Sequence, residues 1–144
     1  MGYFLYALIG KSETFKEEVL PYKNARVVQL GQGIAIIPIT DELYEEIDSN
    51  DEIEKFEKLS SEIKEWAQRI SSIGPVAYIE AEFFGGVGGQ SAILWKTESC
   101  VLGPIHEQHA INRVLKLLGV ERGNAYDEFD AIGLGKHRDT DDWR

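Results

Sequence analysis

An α+β fold is predicted for this chain: a two-layer domain with a mainly antiparallel sheet of about five strands and the helices on one face. Three observations lead there. Apolar runs at 25–30 and 34–39, and again at 76–84 and 90–96, are each separated by a short glycine-bearing stretch, the signature of hairpins and hence of antiparallel pairing. Segments 52–73 and 105–119 carry apolar residues at spacings of three and four, as amphipathic helices do. A length of 144 residues with 43% hydrophobic residues fits one domain, residues 1–144. A domain of that size hides roughly two-thirds of its unfolded surface, so its stability requires neither disulfides nor metal.

Taken in order, YFLYALI (3–9) is an apolar run of strand length. Ser12 offers an N-cap for a short helix ending near Leu20, before Pro21. ARVVQL and IAIIPI then form the first hairpin around Gly31-Gln32-Gly33, with Pro38 suited to an edge or a strand end. Thr40 caps a helix through DELYEEI. The longest helix, 52–73, presents Ile53, Phe56, Leu59, Ile63, Trp66, Ala67, Ile70 and Ile73 as one stripe and stops at Gly74-Pro75. VAYIEAEFF and QSAILWK make the second hairpin, and IHEQHAINRVLKLLG a last helix closed by Gly119. Beyond Gly123 the tail keeps Tyr126, Phe129, Ile132, Leu134 and Trp143, enough apolar surface to pack on the body. The first six elements follow the split βαβ order of a ferredoxin-like core.

Charge narrows the function classes. The formal net charge is −10 and the 15 lysines and arginines are scattered, so direct nucleic-acid binding is not expected. No run approaches the ~18 apolar residues of a membrane span. The start MGYFLYALIGKSE has neither the basic flank of a signal peptide nor a myristoylation pattern. A single cysteine, Cys100, excludes an internal disulfide and favours a reducing, cytoplasmic setting. The excess is concentrated in DELYEEIDSNDEIEKFE (41–57), where nine carboxylates face one lysine, a net of −8. Such a run is commonly a solvated helix face. Beside aromatics such as Tyr44, it is also what steers and docks a basic protein.

The stretch YIEAEFFGGVGGQSAILW (78–95) holds the richest local chemistry. Alternation puts Ala77, Ile79, Ala81 and Phe83 on one face, under helices, and Tyr78, Glu80, Glu82 and Phe84 on the other, toward water or a partner. GGVGGQSA lacks the lysine of a phosphate loop and runs into a strand where a dinucleotide fingerprint runs into a helix. The glycines read instead as a hairpin tip, or as a place where another backbone comes close. Glu80 and Glu82, about 7 Å apart on a strand, form a candidate acid/base pair. His106 and His109 would meet on one helix face but lack the spacing of a zincin, and Cys100 with His106 would be a thiolate candidate. In the bland reading these are respectively solvated carboxylates, helix-end histidines and inert core filler. Lys136, His137 and Arg138 with Asp139, Asp141 and Asp142 offer an anion or metal site, or a self-neutralising end anchored by Trp143.

Through YFLYALIG, YIEAEFFGGVGGQSAILW and DEFDAIGLGKHRDTDDW the chain resembles small acidic bacterial immunity proteins that neutralise polymorphic toxins. The resemblance implies a cytoplasmic, non-enzymatic protein without cofactor or metal, whose partner is a basic, nuclease-like toxin. Asp41, Glu42, Tyr44, Glu45, Glu46, Glu54, Tyr78, Glu80, Glu82 and Phe84 are the partner-binding candidates. The alternative is a small enzyme or metal protein built on Glu80/Glu82 or His106/His109. A scaffold that self-associates through the second hairpin is the third class.

Overall fold

The computed structural model describes residues 2–15, 21–47, 51, 53–84 and 87–143. The strands are β1 (Gly2–Lys11), β2 (Val28–Gln29), β3 (Ile34–Pro38), β4 (Val76–Phe84), β5 (Val87–Lys96) and β6 (Ser99–His106). The helices are α1 (Asp41–Ile47), α2 (Ser61–Ile70), α3 (Ala110–Leu117) and α4 (Glu128–Ala131). The fold is α+β: one open antiparallel sheet in the order β2-β3-β1-β4-β5-β6. It has six strands where about five were expected. β3 separates β1 from β2, and β1 separates β3 from β4, which is the interleaving of a split βαβ core. β5 and β6 extend that core as a meander.

The helices do not gather on one face. Leu5, Ala7, Ile9, Ile34, Ile36, Ala77, Ile79, Ala81, Ala92 and Leu94 pack under α3 and the C-terminal tail. The alternate set, Leu8, Ala35, Ile37, Ile39, Val76, Tyr78, Ile93 and Trp95, packs under α1 and α2. The domain therefore has three layers, because its inner strands are apolar on both sides. IAII and AILW already carry that pattern: a strand with one wet face would alternate. No helix among the described residues is long and apolar enough to cross a membrane.

The first hairpin forms as expected, with Pro38 at the end of β3. Thr40 caps α1 by accepting from the Leu43 amide at 3.2 Å. Ser12 lies within a 3-10 turn, Ser12–Phe15, and the remainder of that predicted helix, 16–20, falls outside the described residues. The helix predicted over 52–73 is cut to α2, ten residues beginning after Ser60, whose hydroxyl accepts from the Ile63 amide at 3.2 Å. Lys55 has φ +71°, which a right-handed helix excludes. Yet Phe56 and Leu59 are as buried as the stripe predicted, from an irregular segment laid over the sheet.

β6 was not foreseen, since Gly103-Pro104 reads as a turn signal. As the outer strand it accommodates the proline, with register shifts against β5 near Leu94. The helix predicted over 105–119 is α3 and starts only at Ala110. His106 therefore ends a strand and His109 precedes α3, so the two histidines do not share a helix face. Cys100 is exposed, not core filler, and sits at the opposite end of β6 from His106. The tail packs on the body as expected through Ile132, Leu134 and Trp143, which are buried, whereas Tyr126 is 84% exposed.

Candidate functional site

A cleft of about 770 Å³ opens where β4 ends and β5 begins, walled by residues 55–57 and by the end of β6. Its floor follows from the register. Tyr6 lies opposite Glu80, Glu80 opposite Ser91, and Ser91 opposite His106, so four polar side chains cross the sheet in one row on the α1–α2 side. Ser91 Oγ and His106 Nδ1 are 2.6 Å apart, and the His106 ring lies 5.0 Å from that of Phe56. Four carboxylates line the cleft, Glu57, Glu80, Glu82 and Glu107, against one lysine, Lys55. Glu107 is paired with Arg113 at 3.0 Å.

Glu80 explains the missing helix. Only 4% exposed, it accepts from the backbone amides of Glu57 (2.9 and 3.0 Å) and Lys58 (2.9 Å) and from the Tyr78 hydroxyl at 2.6 Å. The amides that a helix would have turned toward its own carbonyls go to a carboxylate on the sheet instead. Burial pushes the Glu80 carboxyl above its ordinary value, while the three donors pull it back without cancelling the rise. Burial, followed by the neighbouring Glu80 carboxylate, likewise raises the Tyr78 hydroxyl. With its oxygens engaged by three protein donors, Glu80 fastens the 53–59 segment. The expectation that Tyr78 and Glu80 face water or a partner is thus corrected: both are buried, because α2 and the 53–59 segment cover that half of β4.

The other expected residues divide. Asp41, in the first turn of α1, pairs with Lys58, whose Nζ lies 5.7 Å from the Tyr44 ring centre and 5.6 Å from that of Tyr6. Glu82 is half-buried, and burial, followed by the influence of Glu82, holds the Tyr6 hydroxyl well above its usual range. Phe84 is 70% exposed at the hairpin tip, opposite Val87 at 77%. These gather at one end of the sheet. Glu42, Glu45 and Glu54 are exposed and are not among the cleft's lining residues. Glu46 is structural: its carboxylate accepts from the amides of Lys23 at 2.6 Å and Asn24 at 2.7 Å, and those bonds lower its pKa. Residues 48–50 and 52 of the acidic run, and Gly85 and Gly86 of the glycine stretch, lie outside the described residues.

The tail supplies carboxylates that were weighed as an anion or metal site and not among the partner-binding candidates. β3 ends opposite Ala7, and past the Tyr6 carbonyl, which accepts from the Ile39 amide at 2.7 Å, it leaves the edge of β1 open from the Tyr6 amide back to Phe4. The tail takes that place: the Phe4 amide donates to the Arg138 carbonyl at 2.8 Å, and Thr140 Oγ1 accepts from the Tyr6 amide at 3.1 Å and donates to the Phe4 carbonyl at 2.9 Å. Asp139 and Asp141 thereby line a cavity of about 200 Å³ with Asp41 and Lys58, beside the main cleft. The readable signal was DTDDW, an acidic run followed by a tryptophan that needs burial.

Among the described residues no group of three or more histidine, cysteine or carboxylate side chains is placed to hold a metal ion. No protein-family model, curated protein or solved structure matches the chain.

Proposed function

We propose that this protein is a stoichiometric binding protein that grips a basic protein surface, acting as a cytoplasmic immunity protein against a nuclease-like toxin. One observation carries the reading: carboxylates from four separate parts of the chain are brought to one end of the sheet. Asp41 comes from α1, Glu57 from the 53–59 segment, Glu82 from β4, and Asp139 and Asp141 from the tail. Exposed Phe84 and Val87 form an apolar lip beside them. Opposite charge speeds encounter and fixes orientation, while aromatic and apolar anchors supply the affinity that solvated charges lack. A nuclease surface rich in lysine and arginine is the complementary chemistry.

The test is co-expression with the toxin domain encoded by a neighbouring reading frame. Wild type should restore growth and form a one-to-one complex, and Glu57→Lys combined with Glu82→Lys should lose both while remaining folded. Protection by the charge-reversed protein equal to that by wild type would refute the reading.

A further inference from the structure

Lys58 sits in an enclosure built for a cation. Its Nζ pairs with Asp41 and lies within 6 Å of two ring centres, Tyr6 at 5.6 Å and Tyr44 at 5.7 Å. Ring faces attract ammonium and guanidinium groups at about that range. The enclosure opens on the smaller cavity, where Asp139 and Asp141 add negative charge, so three carboxylates face one ammonium. Lys58 is also tethered independently of its side chain, because its amide is held by Glu80 at 2.9 Å. The side chain can therefore leave the box while the main chain stays in place.

We infer that the Tyr6–Tyr44–Asp41 box is the seat for a lysine or arginine side chain of the basic partner, and that Lys58 is a resident placeholder which the partner's cation displaces. The inference rests on the acidic end being the binding surface, and names what that surface grips. Exchange of one cation for another keeps the ring contacts, and the incoming chain brings further positive charge to Asp139 and Asp141. Lys58, released, retains its long solvated stem.

The experiment uses the intact protein and a fluorescent hexa-arginine peptide, with anisotropy read at low salt. Lys58→Met should bind the peptide about tenfold more tightly than wild type, whereas Lys55→Met, which removes an equal charge from the cleft wall, should gain at most about threefold, as expected for a solvated charge. Adding Tyr44→Leu to Lys58→Met should erase the difference between them. Lys58→Gln serves as a second variant should the methionine disturb folding, with melting curves taken for all. Binding by Lys58→Met and Lys58→Gln no tighter than by Lys55→Met would overturn the placeholder. If wild type still bound and the Glu57→Lys, Glu82→Lys pair did not, that failure would leave the acidic surface standing. No binding by wild type or any variant would overturn both.

Discussion

Replacing Glu80 with alanine tests the central structural device of the cleft. The change strands three donors: the amides of Glu57 and Lys58, and the hydroxyl of Tyr78, which is fully buried. An unsatisfied buried donor costs about 1–3 kcal/mol. Water reaches the two amides more readily than the hydroxyl, so the sum falls at about 3–5 kcal/mol. For a domain of this length each kcal/mol is worth about 3 °C, so melting should fall by about 10–15 °C. Glu80→Gln should fall between, since its carbonyl still accepts but its amide group faces a donor. Urea unfolding followed by tryptophan fluorescence suits the measurement, with Trp66 and Trp95 buried on the affected side. Hydrogen exchange should show the amides of residues 57 and 58 losing protection first. A loss below about 1 kcal/mol, half a typical core truncation or less, with those amides still protected, would refute the assignment of Glu80 as the fastener.

The two perturbed glutamates should respond to pH with opposite signs. Glu80 has a raised folded pKa, so the protonation-linked part of its contribution is fully present below its ordinary value of 4.5 and is lost as pH rises through the folded value. The stability gap between wild type and Glu80→Gln should therefore widen on moving from neutral pH toward 4.5. Glu46 has a lowered folded pKa, so its contribution is present above 4.5 and fades as pH falls through the folded value, and the gap to Glu46→Gln should close on acidification. Denaturant midpoints across pH decide both, and gaps that do not move with pH would contradict them. Gly88 lies where an added Cβ would overlap the Glu82 carbonyl oxygen, whereas Gly89 has nothing within 4 Å. Gly88→Ala should cost about 1–3 kcal/mol as overpacking does, and Gly89→Ala close to nothing; equal losses by chemical denaturation would remove the close-approach explanation.

Much of this architecture is legible in the residues. Both hairpins, the Thr40 cap, the Ile63–Ile70 stripe and the packed tail follow from local pattern, and the antiparallel sheet follows from the hairpins. What eluded local pattern depended on partners distant in sequence. Phe56 and Leu59 keep helical spacing, but the amides of Glu57 and Lys58 between them are claimed by Glu80, more than twenty residues away. Glu80 and Glu82 look alike on one strand face, yet Glu80 is buried under the 53–59 segment while Glu82 is only half-buried. β6 hides behind a Gly-Pro pair that only an outer strand tolerates. The acidic surface itself was visible as composition, but Asp139 and Asp141 join it only because β3 stops short and the tail fills the gap beside Phe4.

The most direct measurement is the affinity of the toxin domain from a neighbouring reading frame for wild type and for the Glu57→Lys, Glu82→Lys protein, taken at low and at high salt. Wild type should bind tightly with an association rate that falls steeply as salt rises, and the charge-reversed protein should bind weakly at both. Affinity that is unchanged by the reversal and indifferent to salt would contradict the account.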